Sequence, residues 1–377
     1  MKDKLKILVV GSGGREFAVA RALKKSTHVA EVFCTPGNSG MAAIGVKATG
    51  IPEDDFKALK DFAIKEDIAW TFVGPEDALV AGIVDYFHAF DLKIFGPNAR
   101  AAQLEESKDY ALQFMEKYQV PHPRYETFQR VETAISALPD FGLPVVLKED
   151  GLAGGKGVII AEDQETAEIT LTEMFAKGPN TGGMGSYSPV PQLSQAEYQE
   201  IVDQLVEPTS KGLLAGGYDY HGVLYLGLMM TKQGPKMIEY NVRLGDPETE
   251  VVLPRLKSDF AELVAACVND EEMPSVEEKD EAVLGVILAA EGYPKKLLKG
   301  QKLGQLPAED GIFVDCANVT GLAADLAGSG GRILMVRAEE ADLKEAQEHV
   351  YAYLAKLDIP QTFYRRDIGY RATGKRF

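Results

Sequence analysis

Four short apolar runs, each stopped by glycine, Gly-Pro or Pro-Gly, recur through the first hundred residues, with helical periodicity between them. Residues 6–10 end at Gly11, residues 31–35 at Pro36-Gly37, residues 68–73 at Gly74-Pro75 and residues 92–95 at Gly96-Pro97. Phe17, Ala18, Ala22 and Leu23 fall on one face of a helix, as do Phe56, Leu59, Phe62 and Ala63. Leu79, Val80, Ile83, Val84 and Phe87 predict a third helix. Strands alternating with helices in this order fold into an open parallel sheet covered on both faces, a Rossmann-like α/β unit. Such sheets bind ligands at the carboxyl ends of their strands. The loops at 11–15, 36–40 and 74–77 all leave strands on that edge.

The chain has 377 residues, enough for three units. We read an N-terminal unit over 1–102, a central unit over 103–280 and a small α+β unit over 281–377. In the central unit Ser107 caps a helix with Tyr110, Ala111, Phe114 and Tyr118 inside. Strands are expected at 145–148 and 158–161, and a helix over 166–175. A loop then runs to about Pro191, followed by a helix over 196–214. Strands at 223–230 and 236–242 pair through Gln233-Gly234, a helix covers 258–268, and the charged stretch 270–281 reads as a solvated linker. Strands at 283–289, 312–317 and 333–338 and a helix reaching Leu357 complete the third unit.

The formal net charge is -17, which argues against nucleic acid or an anionic membrane as a partner. An anionic metabolite must then be held by local cations and backbone N–H groups. The three cysteines are far apart and read as reduced, buried thiols, and the five histidines show no metal-ligand spacing. With no signal peptide visible and no apolar run near the roughly 18 residues of a membrane span, a cytoplasmic enzyme is expected.

Gly11-Ser12-Gly13-Gly14-Arg15-Glu16 joins the first strand to the first helix. Glycines admit an anion to the helix N-terminus, and Arg15 offers a planar fork. A dinucleotide site and a purely structural turn are the other readings. The first lacks the acidic residue expected after the second strand, where Asn38 stands instead. Lys148 ends a strand, and Gly154-Gly155-Lys156-Gly157 leads into the next, so two lysines and a glycine loop make a lid for a polyphosphate. Lys148 snorkelling from a strand edge is the plainer alternative. Glu239, Asn241 and Arg243 share one face of a strand by period two. Their oxygens suit Mg²⁺ between phosphates, unless this is merely the solvated face of an edge strand. Asp246, Glu248 and Glu250 follow in a turn dense in carboxylates.

In this order, GSGGRE, TPGNSG, VGPE, IFGP, LKEDGLAGGKGV, GPNTGGMGSYSP, IEYNVRLGDPETE and RRDIGYRA resemble the glycinamide ribonucleotide synthetases, the phosphoribosylamine–glycine ligases of the ATP-grasp superfamily. The resemblance runs from residue 6 to about 373. It implies an ATP-grasp central domain and ATP-dependent ligation of glycine to 5-phosphoribosylamine through a glycyl phosphate, with Mg²⁺ or Mn²⁺, in a monomer. By that resemblance Lys108, Lys148, Gly154, Gly155, Lys156 and Gly157 hold ATP, and Glu239 and Asn241 hold the metal. Gly13, Gly14, Arg15, Asn38, Glu76, Gly183, Met184 and Gly185 line the phosphoribosylamine site, and Arg243 and Asp246 approach the reacting centre.

There are departures. Phe17 stands where the family has His, Gly154 where it has Ala, and Asp77-Ala78-Leu79 where it has x-Pro-Leu. Phe17 is expected to remove a polar contact to the substrate. Several dozen family residues are also missing, with only Ala176 and Lys177 between the 166–175 helix and Gly178. That stretch carries an acidic segment gripping the adenosine end of ATP, so the lid subdomain, about 121–178, reads as truncated. Either it is truly shortened or a segment of the protein is missing from this sequence, and the open edge left to the 145–161 strands favours the second. A phosphoribosyl-binding relative with a weak ATP site, or another ATP-grasp carboxylate–amine ligase, are the alternative functions.

Overall fold

The computed structural model describes residues 4–148, 158–175, 182–322 and 325–377. The first unit runs β1 (Leu5–Gly11), α1 (Gly14–Lys24), β2 (Val29–Pro36), β3 (Lys47–Ala48), α2 (Phe56–Lys65), β4 (Trp70–Val73), α3 (Glu76–Val80), α4 (Ile83–His88), β5 (Ile94–Pro97) and α5 (Ala99–Glu106). β1 lies between β2 and β4, all parallel, with Val9 opposite Cys34 and Phe72. Strand side chains alternate between faces, and here both faces are covered. Ile7 and Val9 enter one core with Phe17 and Leu23 of α1, while Val10 enters another with Leu59 of α2 and Leu79 and Phe87 beyond it.

The single helix expected through residues 79–87 is broken into α3 and α4. Gly82 sits at φ 87°, a left-handed conformation that ends one helix and starts the next on the same apolar face.

The second unit continues with α6 (Lys108–Lys117), α7 (Val131–Phe141), β6 (Val145–Lys148), β7 (Val158–Ala161) and α8 (Gln164–Phe175). Ser107 Oγ accepts the Tyr110 N–H at 3.2 Å, the expected cap. β6 and β7 form a two-stranded antiparallel sheet. With α7 and α8 it has its own core of Leu138, Val145, Leu147, Ala161 and Leu171. Then come β8 (Gly185–Ser188), α9 (Gln195–Ile201), a π-helical stretch Val202–Val206, α10 (Glu207–Ala215), β9 (Tyr220–His221), β10 (Tyr225–Thr231), β11 (Gly234–Asn241), α11 (Thr249–Val252) and α12 (Phe260–Val268). β10 and β11 pair antiparallel as expected, with a bulge at Ile238.

The third unit holds β12 (Ala282–Ala290), β13 (Ile312–Cys316), β14 (Val319–Leu322), β15 (Asp325–Gly328), β16 (Arg332–Glu340), α13 (Leu343–Leu354), β17 (Thr362–Phe363) and α14 (Tyr370–Thr373). Its main sheet has the order β13-β16-β12-β17. α13 stops at Leu354 rather than Leu357, with Ala355 as its C-cap.

Two short strands cross the expected order of units. β9 adds antiparallel to the edge of the first sheet, with His221 opposite Gly96. β8, expected as loop, adds to β12 of the third unit, with Ser188 opposite Val283. No helix among the described residues is long and apolar enough to cross a membrane.

A methyl group at Gly82 would meet nothing closer than 3.8 Å, so Gly82→Ala reports backbone strain alone. It is expected to lower stability by about 1–2 kcal/mol, read as a lower urea midpoint with an unchanged m-value.

Candidate active site

The carboxyl edge of the parallel sheet is held together by Glu16. Its Oε2 accepts the Gly13 N–H at 2.7 Å, and its Oε1 accepts Arg15 Nε at 2.6 Å. The side chain lies against the backbones of Gly11 and Gly74, where a Cβ would come within 2.4 and 2.0 Å of Glu16 atoms. Part of the glycine content that reads as an anion cradle therefore makes room for a buried carboxylate.

Arg15 is 6% exposed. Besides Glu16 it reaches Leu244 O at 3.2 Å and Glu76 at 3.6 Å. Burial alone would lower the pKa of its guanidinium, but Glu16, Asp246 and Glu76 outweigh burial and raise it. Glu76, the first residue of α3, is desolvated, yet Arg243 and Arg15 hold its carboxyl below the ordinary range. Arg243 donates from Nε to Glu76 at 3.1 Å and pairs through Nη2 with Glu105 at 2.6 Å. Glu105 also accepts the Val242 N–H at 2.7 Å. Burial pushes the Glu105 carboxyl up to about 7 against the pull of Arg243. The result is a buried line of alternating charge, Glu16–Arg15–Glu76–Arg243–Glu105.

Asn38 is fully engaged. Its amide donates to Ser12 O at 2.7 Å and Cys316 O at 3.1 Å, while its oxygen accepts the Gly40 N–H. It ties the first two loops to the third unit. Asp246 forms a two-pronged pair with Arg332, at 2.9 Å to each carboxylate oxygen. Arg332 also donates to Asp246 O and Gly183 O. Ser186 Oγ donates to Pro247 O at 2.7 Å, so the loop before β8 and the carboxylate turn close on each other. Gly183 is exposed and Gly185 lies within β8. Met184 packs among Ile287, Ala289 and Met335.

On β11, Tyr240 and Val242 enter the core, which leaves Glu239, Asn241 and Arg243 on the other side, as period two implies. A Cβ at Gly227, opposite Glu239, would come within 2.9 Å of the Glu239 side chain. That bare position gives the carboxylate its room. Lys108 opens α6. Lys148 ends β6, opposite Val158, but its side chain lies outside what the structure describes, as do Gly154, Gly155, Lys156 and Gly157.

Phe17 is 1% exposed and packs in the core, with Arg21 over its ring at 5.2 Å. It does not face the loop edge. The residues that sequence reading passed over are Glu16, Glu105 and Arg332. Arg332, the first residue of β16, carried no signal because its partner lies 86 positions away. Glu250 was noted only as one carboxylate of a turn. It is fully buried, and neither oxygen has a hydrogen-bond partner among the described residues. It presses on Gly14, where a Cβ would come within 2.5 Å of Oε1.

The model of the phosphoribosylglycinamide synthetase N domain matches residues 5–105, and that of its C domain matches 283–371. The model of its ATP-grasp (A) domain matches in two pieces, 106–178 and 175–249. A phosphoribosylamine–glycine ligase of Listeria innocua is 40% identical over 420 aligned positions, covering 98% of this chain and 100% of the relative. One from Lactococcus lactis is 42% identical over 414 positions, with the same coverage. The crystal structure of a phosphoribosylamine–glycine ligase from Thermotoga maritima superposes with a TM-score of 0.79 at 30% identity, covering 97% of this chain and all of that one. A biotin carboxylase domain from Hydrogenobacter thermophilus, in complex with MgADP, ADP and bicarbonate, superposes at 0.70 with 15% identity, covering 97% of this chain and 92% of that one. That likeness shows a shared fold.

Burial, then Asp246 and Asp315, pushes the Glu250 carboxyl well above its ordinary range. The folded chain thus keeps a proton that the unfolded chain releases above about pH 4.3, and stability falls as pH rises from there toward the folded value. Glu250→Gln is expected to melt higher than the parent at pH 8, with a smaller advantage at pH 5. Calorimetry at the two pH values checks it.

Proposed function

The chain belongs to the phosphoribosylglycinamide synthetase family, and from that membership we propose that the edge described above is where the ligation takes place. The activity is ATP-dependent joining of glycine to 5-phosphoribosylamine in purine biosynthesis. The observation that carries the site assignment is the Glu76–Arg243 pair at 3.1 Å. It brings the loop edge of the parallel sheet against the end of β11, the strand that bears Glu239 and Asn241.

A glycine carboxylate oxygen attacks the γ-phosphorus of ATP, the bond to the bridging β,γ-oxygen breaks, and ADP leaves. The amine of 5-phosphoribosylamine then attacks the acyl carbon of glycyl phosphate, the acyl C–O bond breaks, and phosphate departs as the nitrogen loses a proton. Catalysis of this kind is chiefly positioning and charge neutralisation. Glu239 and Asn241 fit a divalent cation, Mg²⁺ or Mn²⁺, because both offer hard oxygen donors on one face of β11. When bound, that ion neutralises phosphate charge. Lys108, Lys148 and Lys156 are assigned to the ATP phosphates, and Gly154, Gly155 and Gly157 to the loop that covers them. Gly13, Gly14, Arg15, Asn38 and Glu76 are assigned to 5-phosphoribosylamine, with Gly183, Met184 and Gly185. Arg15 acts there by its charge, since its Nε and Nη1 are already engaged. Asn38 and Met184 act by holding the loops in shape. Arg243 and Asp246 flank the reacting carbon, and a cytoplasmic monomer completes the reading.

The decisive measurement is ADP release by the purified chain, with 5-phosphoribosylamine generated in situ. Release that requires both glycine and the sugar amine is expected; release indifferent to glycine overturns the reading. Glu239→Ala is expected to lower kcat by about 100-fold or more, because it removes charge neutralisation felt most in the transition state.

The A-domain match breaks at 175–178, and the Listeria alignment is longer than this chain. The relative therefore carries residues with no counterpart here, at the point where the adenosine-gripping segment is expected. The KM for ATP is accordingly expected to exceed that of the Listeria innocua ligase by roughly tenfold, the equivalent of about 1.4 kcal/mol of lost contact. Side-by-side initial rates decide it.

A further inference from the structure

Resting on the reading above, we propose that Glu105 is a positioning residue for the ligation, fixing the exit of β11 so that Asn241 and Arg243 are presented together. The last ladder pair of β11 joins Asn241 to Tyr225. The next backbone donor, the Val242 N–H, lies beyond the ladder and is taken by Glu105 Oε2 at 2.7 Å. The other oxygen of the same carboxylate takes Arg243 Nη2 at 2.6 Å. One side chain thus holds both the main chain just after Asn241 and the guanidinium two residues on.

Both side chains of the pair are 8% exposed, so the contact is screened little by solvent. Arg243 is held by Glu76 of α3 at Nε and by Glu105 of α5 at Nη2, and two acceptors on neighbouring nitrogens restrict the orientation of its guanidinium. Glu105 is also the penultimate residue of α5, and α6 opens at Lys108. The segment that anchors β11 therefore leads directly into a lysine assigned to ATP. Glu105 touches neither the proposed substrates nor the reacting atoms. It acts through Arg243 and the strand end, which is why no motif of the edge points to it.

The test is a cycle of Glu105→Gln, Arg243→Gln and the double variant, with Glu105→Ala beside them. The amide in Glu105→Gln still offers Val242 an acceptor but no charge to Arg243. Its kcat is expected to fall at least about tenfold, with KM for glycine and for ATP within about threefold of the parent. The double variant is expected to match Arg243→Gln within about twofold, because a residue acting through another adds nothing once that other is gone. A kcat for Glu105→Gln within twofold of the parent, or multiplicative losses in the double variant, overturns the proposal.

Amide exchange at Val242 serves as the readout independent of turnover. Exchange is expected to quicken at least tenfold in Glu105→Ala and far less in Glu105→Gln. Unchanged protection in Glu105→Ala overturns the proposal even if the parent fails to ligate glycine, a failure that sinks the functional reading alone. Should Glu105→Gln not fold, Glu105→Asp takes its place in the cycle, and its shorter carboxylate must show the same non-additivity with Arg243→Gln.

Discussion

Five charged side chains, Glu16, Arg15, Glu76, Arg243 and Glu105, run in alternation through the junction between the parallel sheet and β11. Taking ions out of water is unfavourable, and breaking a buried pair leaves a lone charge behind. Alternation is what makes the arrangement tolerable, because each interior member has an opposite charge on either side. The links come from α1, α3, α5 and the end of β11, so the N-terminal unit cannot turn against the central strand without exposing or orphaning a charge. A second pair, Asp246–Arg332, fastens the carboxylate turn to the third unit. Buried hydrophobic surface stabilises each unit, but these ion pairs fix how the loops meet.

Much of the scaffold was legible. Apolar runs of four to six residues ended by glycine marked the parallel strands, because a strand covered on both faces has no reason to alternate. The expected strands at 145–148 and 158–161 coincide with β6 and β7. What escaped was pairing at long range. β8 and β9 are too short for a periodic signal, and their partners lie far along the chain. The break at Gly82 was missed because both helices bury the same face, so periodicity runs through the turn unbroken.

The candidate site was legible as a set of loops on one edge, but not in the contacts its side chains make. Arg15 was read as an open fork for phosphate, yet its Nε and Nη1 are held by Glu16 and Leu244. Phe17 was expected only to remove a polar contact to the substrate, and its place in the core was not foreseen. Neither could be known from sequence, since direction along a helix is decided by what packs against it. The glycines were legible as places of close approach. That buried carboxylates come close there, Glu16 at Gly11 and Gly74 and Glu250 at Gly14, needed three dimensions.

β8 has a consequence for how the chain is made. The edge of β12 that it covers is synthesised almost a hundred residues after it, so a growing chain carries β8 unpaired until the third unit emerges. Local contacts form early, and distant ones wait for loop closure. The β6–β7 sheet with its helices, built from near neighbours around its own core, is free to form first. Gly182 and Gly183, just before β8, are held by Tyr293 and Arg332 of the third unit and so are fixed late. Assembly of the candidate edge is therefore a late event that follows synthesis of the C-terminal strands, and a ribosome-bound fragment ending before Ala282 would present the parallel sheet without β12 to pair β8.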